Sequence, residues 1–243
     1  MPPCPENGER DHPGNDEAVG SYGEGLQMGD RHYRAWVGPP ADYDRIAALQ
    51  VSLLLCVGLR ETHFFLDVGC GSLRGGRMLI PYLRPGRYFG IEPERWLVEE
   101  GIERELGQDI LEAKRPSFRF VDDFSASSFG VAFDFVLAQS VLSHTYPDLA
   151  AKALGEVARV LASEGMLFAT FIEGERTPKG SGWVKAAVPY RWERMRALVE
   201  DAGMVARRFE WPHPRQKWFV AGLPEAESRI EDISKRLRFP LRT

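Results

Sequence analysis

The residues best suited to chemistry lie in a glycine-rich turn with an acid before it, Asp67-Val68-Gly69-Cys70-Gly71, which follows an apolar run at residues 64–68. In a turn between a strand and a helix, glycines such as Gly69 and Gly71 allow a tight bend and leave backbone N–H groups facing a ligand. Asp67 adds a carboxylate at the mouth of the strand, which suits a cationic or hydrogen-donating ligand and would repel a pyrophosphate. The turn therefore predicts a binding site for a ligand of that kind.

Two more acids close the next two predicted strands. Glu92, in Gly90-Ile91-Glu92-Pro93, lies 23 residues after Gly69, close to the spacing at which a carboxylate holds ribose hydroxyls. Asp123, followed by Phe124, offers an acceptor for an exocyclic amine beside an aromatic edge for a base. A single acid at a strand end is often only a helix cap, but three at consecutive strand mouths, together with the glycines, favour a ligand site.

Short apolar strands that alternate with amphipathic helices would position these residues. A helix is expected to begin after Asp42 and to end at Gly58. The predicted strands are 64–68, 88–91, 118–121, 133–138 and 166–172, and the predicted helices are 74–83, 95–106, 147–162 and 190–202. Two last strands, 204–211 and 216–221, flank a proline-rich turn and form a hairpin. The expected fold class is α/β, a Rossmann-like, seven-stranded, mostly parallel sheet with helices on both faces and a terminal antiparallel hairpin strand.

The set of residues resembles the class I S-adenosylmethionine (SAM)-dependent methyltransferases, which carry an acidic-x-Gly-x-Gly turn, an acid closing the second strand and an Asp after the third. The match covers most of residues 64–221, including the hairpin. It implies that Gly69 and Gly71 line the methionine part of SAM, that Asp67 orients it, that Glu92 holds the ribose, and that Asp123 and Phe124 contact the adenine. The implied cofactor-binding set is Asp67, Gly69, Cys70, Gly71, Arg74, Glu92, Pro93, Asp123, Phe124 and Gln139.

The turn departs from the family pattern at one position, because Leu73 stands where the third glycine usually lies. Two readings of Arg74 stay open: it approaches the carboxylate of the ligand, or it begins a helix in solvent. An NAD(P)-binding oxidoreductase uses similar glycines. The missing third glycine and the absence of a Tyr-x-x-x-Lys pair make that class the weaker interpretation.

The segment after the fourth strand, 138–147, resembles the Ser-Val-x-x-His segment that lies beside the transferred methyl group in many small-molecule methyltransferases. The resemblance implies roles for Gln139, Ser140 and His144. A neutral His144 would accept a proton from a hydroxyl or amine nucleophile. Equally, His144 would bond the backbone before the helix and only shape the pocket, because methyl transfer mainly needs in-line positioning.

Two segments are candidates for binding the methyl acceptor. The loop 173–188 is rich in glycine and is expected to be mobile; it carries basic residues and Trp183, with Tyr190 just after it. These suggest a substrate with an anionic group stacked near Trp183 or Tyr190, although a solvated basic loop is the simpler interpretation. Residues 22–36, with Tyr33, are expected to form a lid or to pack on the core. The predicted substrate-binding set is Tyr33, Ser140, His144, Trp183 and Tyr190.

Charge, hydropathy, cysteine spacing and absent motifs make several other classes of protein weaker interpretations. A net charge of −4 gives no general attraction to nucleic acid or to an anionic membrane, and no apolar run is long enough for a membrane helix. The three cysteines have no metal-ligand spacing, which fits a reducing cytoplasm, and no metal site is expected. No Asn/Asp-Pro-Pro-Tyr motif follows the fourth strand, so methylation of DNA amino groups is disfavoured.

The chain is predicted to contain a disordered tail (1–20), a helical lid (21–60), a SAM-binding core (61–223) and a C-terminal helix or tail (224–243). Its predicted function is methyl transfer from SAM to a small-molecule acceptor, most simply an oxygen nucleophile, with S-adenosylhomocysteine (SAH) as product and His144 as the candidate base. Three alternatives stay open: an N-methyltransferase, a catalytically silent SAM-binding subunit, and an NAD(P)-binding oxidoreductase. The acceptor, the pathway and the oligomeric state are not readable from the sequence.

Overall fold

A computed structural model describes residues 22–237. These residues divide into two compact units, one that ends at Tyr43 and one that begins at Asp44. The predicted disordered tail and the last six residues of the predicted C-terminal segment lie outside the described residues. The lid role predicted for 21–60 stays a prediction.

In the first unit, residues 22–43 contain the short helix α1 (Tyr33–Trp36), which His32 caps by accepting a hydrogen bond from the Arg34 N–H. The Arg34 guanidinium donates to the Tyr33 hydroxyl at 2.9 Å. It also lies 4.4 Å from the ring centre of Tyr22 and 4.5 Å from that of Tyr43. Tyr33 is therefore part of a buried aromatic and cationic cluster of this unit.

The second unit is built on a sheet whose strands along the chain are β1 (Phe65–Val68), β2 (Tyr88–Ile91), β3 (Ser117–Arg119), β4 (Phe133–Ala138), β5 (Leu161–Glu173), β6 (Pro189–Tyr190), β7 (Val205–Phe209) and β8 (Lys217–Gly222). The strand order is β3-β2-β1-β4-β5-β8-β7, and β6 pairs only with the end of β5. Pairing is parallel except for β8, which runs antiparallel to β5 and β7. The predicted fold class is confirmed, including the terminal hairpin.

The helices are α2 (Tyr43–Cys56), which begins at the end of the first unit, α3 (Gly76–Tyr82), α4 (Arg95–Gly101), α5 (Gln108–Lys114), α6 (Pro147–Val160), α7 (Trp192–Asp201) and α8 (Glu227–Arg236). Alternate side chains of a strand point to opposite faces of the sheet, so Leu66 and Val68 pack in one apolar cluster with α6 and α7. Phe65 packs in the other cluster, with α2, α3 and α8. Both faces of the sheet are therefore covered, as parallel strands require.

Several predicted boundaries were wrong. β5 begins at Leu161 instead of residue 166, because Phe133 pairs with Leu161 while Phe135 pairs with Met166, and the extra residues of β5 form an irregularity. α3 begins at Gly76 instead of residue 74. α4 ends at Gly101, where a wider π-turn over Ile102–Leu106 follows. The helix α5 was not predicted, since it is short and buries no residue completely.

No helix within residues 22–237 is both long enough and apolar enough to cross a bilayer. Over the same residues, no cluster of three or more His, Cys, Asp or Glu side chains is arranged to hold a metal ion.

Candidate functional site

The glycine turn after β1 is held against the end of β2. The backbone N–H groups of Gly69 and Cys70 both donate to the Ile91 carbonyl, at 2.8 and 3.1 Å. Gly69 has φ +68°, and a Cβ there would lie 2.6 Å from the Val141 side chain. Glycine is therefore required at position 69 both for the backbone conformation and for the close approach of the segment after β4.

Leu73, in place of the usual third glycine, also has a left-handed backbone, with φ +58°. Its side chain is completely buried in the cluster below the turn. Such a conformation costs a branched residue about 1–2 kcal/mol, which burial of a leucine side chain offsets. The turn thus keeps its shape at this position while the leucine anchors it to the core.

We expect Leu73→Ala to lower the free energy of unfolding by about 2–5 kcal/mol, since it removes buried contacts and keeps the strained backbone. Leu73→Gly should be more stable than Leu73→Ala by about 1 kcal/mol, because glycine relieves the strain. The control is Leu79, equally buried in α3, where Gly should be less stable than Ala by about 1 kcal/mol. Urea unfolding measures all four variants. The same order of Ala and Gly at both positions would contradict the account of Leu73.

Asp67 lies at the end of β1 and is only 5% exposed. Its Oδ2 accepts a hydrogen bond from the Tyr88 hydroxyl at 2.8 Å. Burial raises the pKa of Asp67 to about 7, although the Tyr88 hydrogen bond and the charge of Arg74 oppose the rise. This carboxyl group is therefore poised to become an anion when a cation binds beside it.

Arg74 does not begin a helix in solvent. It is 8% exposed and precedes the start of α3, and its charge acts on Asp67. Arg74 is therefore part of the buried polar group beneath the turn, and its approach to a ligand carboxylate stays a prediction.

Glu92, at the end of β2, forms hydrogen bonds both with the glycine turn and with the loop that follows β2. Its Oε2 accepts a hydrogen bond from the Gly71 N–H at 2.9 Å, and its Oε1 accepts one from the Glu94 N–H at 3.0 Å. Burial raises the pKa of Glu92. Each carboxylate oxygen has a second lone pair, so both oxygens can still accept a hydrogen bond from a ligand hydroxyl.

Asp123 is half-buried and bonds its own loop, accepting from the Ser125 N–H at 3.1 Å and the Ser125 hydroxyl at 2.6 Å. These two bonds lower the pKa of Asp123, so it is an anion at neutral pH. Phe124 follows with φ +63° and packs partly against the core. The pair can therefore offer an acceptor and a ring edge, as predicted, but their contact with adenine stays a prediction.

The remaining members of the predicted cofactor set differ in character. Cys70 is buried, with its Sγ 2.9 Å from where a Cβ of Gly90 would stand, and burial raises the pKa of its thiol. This close packing explains a small residue at position 70. Pro93 is exposed beside Glu92.

Gln139 and Ser140 follow β4 directly. Gln139 is 6% exposed, and neither its amide nitrogen nor its amide oxygen has a hydrogen-bond partner among the described residues. The Ser140 N–H donates to Thr170 Oγ1 at 2.8 Å, and Ser140 Oγ accepts from Gln216 Nε2 at 2.9 Å. Unpaired buried amide atoms in Gln139 indicate a group that a ligand would satisfy.

His144 and Trp183 lie together, with ring centres 6.1 Å apart. The buried Nδ1 of His144 has no hydrogen-bond partner within residues 22–237, and the His144 carbonyl accepts from the Val184 N–H. Trp183 is 60% exposed. The contact of His144 with the loop backbone is therefore made by its carbonyl and not by its imidazole ring.

The loop 174–188 is tied to the segment after β4, in contrast with the expectation of a mobile loop. Asp148 at the start of α6 accepts hydrogen bonds from the Ser181 hydroxyl and the Gly182 N–H, and the Thr145–Trp183 bridge lies beside them. The Tyr190 ring is completely buried, and its hydroxyl donates to the Thr145 carbonyl at 2.7 Å. Tyr190 therefore holds the loop in place, and its ring is not presented for stacking on a ligand in this structure.

Several residues of the site were not found from the sequence. Tyr88 bonds Asp67 because β1 and β2 pair with Asp67 opposite Gly90, and a strand register is not readable from the pattern alone. Thr170 and Gln216 reach Ser140 from β5 and from the hairpin turn. The only sequence signal for these two residues was that each is polar within a predicted strand that is otherwise largely apolar.

A family match and similar solved structures agree with this fold and with the position of the turn. Residues 66–167 match the family described as Methyltransferase domain. The fold is similar to magnesium protoporphyrin IX methyltransferase from Synechocystis PCC 6803 with bound SAM, with a TM-score of 0.59 and 17% identity over 83% of this chain and 86% of that one.

Two proteins of Burkholderia thailandensis also share the fold. An O-methyltransferase family protein has a TM-score of 0.54 and 16% identity, over 75% of this chain and 58% of that one. The 1,6-didemethyltoxoflavin-N1-methyltransferase, with bound substrate and SAH, has a TM-score of 0.55 and 16% identity, over 74% and 79%. Residues 66–167 thus match a methyltransferase-domain family, and the chain shares its Rossmann-like fold with SAM-dependent methyltransferases.

Proposed function

We propose that this chain is an enzyme that binds SAM where β1, β2 and β4 end and transfers its methyl group to a small molecule, releasing SAH. The observation that carries the proposal is the burial of Asp67 and Glu92 around the glycine turn. A buried carboxylate is costly unless a partner compensates it, and Asp67 has a raised pKa because its described partners do so only in part. A ligand with a positive charge would pair with Asp67, and its hydroxyl groups would donate hydrogen bonds to Glu92.

The residues present fit SAM. Asp67 suits its cationic methionine part, Glu92 has lone pairs for the ribose hydroxyls, and Asp123 with Phe124 suits the adenine. The unpaired amide of Gln139 adds a donor and an acceptor at the same edge of the sheet. When bound, SAM supplies an electrophilic methyl group on a sulfonium.

The chain itself would contribute positioning and proton acceptance. The glycine turn and Glu92 fix the cofactor's place, because Gly71 and Glu92 are already bonded to each other. His144 would accept the proton of the acceptor's hydroxyl through its imidazole ring, whose Nδ1 makes no hydrogen bond with the described residues. Positioning accounts for most of the rate in this chemistry, and a base for about 10²–10⁴-fold.

We infer an oxygen nucleophile because an alcohol or phenol must lose its proton for transfer, which gives the free ring nitrogen of His144 a use. Nitrogen acceptors are the second candidate, since the similar folds include enzymes of both kinds by name. A silent SAM-binding subunit and an NAD(P)-binding oxidoreductase are distinguished from both by the assays below.

We expect His144→Ala to lower kcat by about 10²–10⁴-fold while KM for SAM changes little. The test incubates the full chain with SAM and a panel of phenols, carboxylic acids and amines, and detects methylated products by mass spectrometry. The control is Ser143→Ala, a buried neighbour whose hydroxyl also lacks a described partner. An unchanged kcat and pH profile in His144→Ala would contradict its role as base. Cofactor binding without product from any acceptor would favour the silent subunit.

A further inference from the structure

A second pocket, here called the hairpin pocket, lies where α2 faces the turn between β7 and β8. It has a volume of about 410 Å³, which is within the range of small-molecule sites. The Trp211 indole N–H donates to the Leu49 carbonyl at 2.9 Å and fixes the turn against α2. The pocket is lined by Arg45 and Leu49 of α2 and by every residue of the segment 209–218 except Arg215.

Aromatic rings form much of the wall. Trp218 and Phe209 stack at 6.1 Å between ring centres, and His213 meets Trp218 edge-on at 6.3 Å. Trp211 adds a third large ring. A wall of this kind suits a flat aromatic ligand, because rings pack on rings through offset stacking and edge contacts.

Two polar atoms of the lining residues lack partners among the described residues. Trp218 is 1% exposed, and its indole N–H donates to nothing within them. The buried Oε1 of Gln216 likewise accepts no hydrogen bond. A buried donor and a buried acceptor that are left unpaired are unusual in a folded protein. The lining covers both atoms in this structure, so a ligand that offers an acceptor and a donor reaches them when the adjacent side chains move aside.

Gln216 also connects the pocket to the segment after β4. Its Nε2 donates to Ser140 Oγ at 2.9 Å, which directs the other amide atom to a different partner. Ser140 is adjacent to Gln139 and is held in turn by Thr170. The polar end of the hairpin pocket therefore adjoins the residues proposed to lie beside the transferred methyl group.

The charge of the lining favours an anion. Lys217 is exposed and makes no ion pair with any described residue. Arg45 adds a second positive charge, and Glu210 is the single acid of the lining. A carboxylate on the ligand would therefore be attracted to the rim at Lys217.

We propose that the hairpin pocket holds the methyl acceptor and that the acceptor is a flat aromatic acid with a hydroxyl or amine group. This proposal rests on the proposed function. In the bound ligand the hydroxyl or amine donates to Gln216 Oε1, and its proton would pass to His144 only during methyl transfer. An oxygen of the ligand accepts from the Trp218 indole, and the carboxylate lies near Lys217. The pocket thereby replaces the loop around Trp183 as the place where the anionic group is recognised.

The test titrates the full-length protein, with and without SAH, with 4-hydroxybenzoate and caffeate, and with benzoate and cyclohexanecarboxylate as comparison ligands. Proton–nitrogen NMR spectra follow the tryptophan indole signals, and Trp218→Phe assigns the relevant one. We expect the Trp218 indole signal to shift on binding of the hydroxylated aromatic acids. Gln216→Leu should weaken 4-hydroxybenzoate about tenfold and leave benzoate unchanged. Lys217→Gln should weaken both several-fold, whereas the control Lys152→Gln on the exposed side of α6 should not.

Shifts confined to Trp183 and its loop would overturn the proposal, as would an equal loss for benzoate in Gln216→Leu or no binding of any ligand at millimolar concentration. The failures of the two proposals are distinguishable. Methyl transfer to an acceptor that does not perturb Trp218 would remove the pocket assignment alone. Aromatic acids that bind at Trp218 in a protein that binds no SAH would remove the proposed function and the acceptor role with it, and would leave only a binding site for aromatic acids.

Discussion

Asp67→Asn is expected to bind SAM at least tenfold more weakly at pH 8 and yet to be more stable than the natural protein without ligand. Removal of a buried charged hydrogen-bond partner costs about 1.5–3 kcal/mol of binding energy. The stability moves the other way because asparagine keeps an acceptor for the Tyr88 hydroxyl and avoids a buried charge. A gain of stability together with a loss of binding marks a residue retained for its ligand.

The pH dependence of this effect has a definite sign. The folded pKa of Asp67, about 7, is above the ordinary value of 3.8, so the stability that the protonated group contributes is present below pH 4 and is lost as the pH rises toward 7. The advantage of Asp67→Asn over the natural protein should therefore grow by about 2–3 kcal/mol between pH 5 and pH 8, since each tenfold change in proton affinity corresponds to about 1.4 kcal/mol. Urea unfolding across this range measures it.

Asp201→Asn, at the exposed end of α7, is the matched control and should show neither effect. The stability difference between Asp67→Asn and the natural protein is compared at pH 5 and pH 8. If the variant loses stability relative to the natural protein as the pH rises, the Asp67 carboxylate stabilises the fold and the account is contradicted. Titration calorimetry in buffers of different ionisation enthalpy adds a second measurement: SAM binding near pH 7 should release a proton from Asp67.

Glu92→Ala should weaken SAH binding by about 1–3 kcal/mol, or roughly five- to 150-fold, as for a lost charge-assisted hydrogen-bond pair. The structure gives two routes to that loss. Glu92 is proposed to hold the ribose directly, but it also accepts from the Gly71 N–H and so supports the turn. Calorimetry with adenosine and with 2′,3′-dideoxyadenosine separates the two.

If the ribose contact dominates, the loss in Glu92→Ala should be present for adenosine and nearly absent for the dideoxy compound. If support of the turn dominates, both compounds should lose affinity equally. Glu99→Gln, on the exposed face of α4, should change neither. Unchanged affinity of Glu92→Ala for adenosine would mean that the ribose assignment is wrong.

The sequence predicted the sheet well because its strands are short apolar runs closed by glycine or acid, a local signal. β4 was predicted with its observed bounds, Phe133–Ala138, since its residues are apolar and buried except for Asp134. The start of β5 was missed because an irregularity opposite Phe133 depends on the partner strand. The break of α4 at Gly101 likewise arises from outside the helix, because a Cβ there would stand 2.4 Å from the Ser72 carbonyl oxygen.

The site shows the same difference between features with a local sequence signal and features that depend on a neighbouring element. The residues at strand ends were predictable because the topology alone brings the ends of β1 and β2 together. The bond from Tyr88 to Asp67 and the bond from Gln216 to Ser140 depend on register and on the packing of the hairpin, which the pattern does not encode. The loop 173–188 was predicted as mobile from its glycines, but Gly180 lies where a Cβ would meet the Tyr146 ring at 2.2 Å. Its glycines thus serve close packing as well as turning.

The most direct measurement of the central claim is calorimetric titration of the full chain with SAH, SAM, NAD⁺ and NADP⁺ at pH 8. The account predicts binding of SAH and SAM, weakened in Asp67→Asn for SAM and in Glu92→Ala for both, and no binding of either dinucleotide. Binding of NAD⁺ or NADP⁺ without SAH, or SAH binding that is unaffected by Glu92→Ala together with SAM binding unaffected by Asp67→Asn, would contradict it.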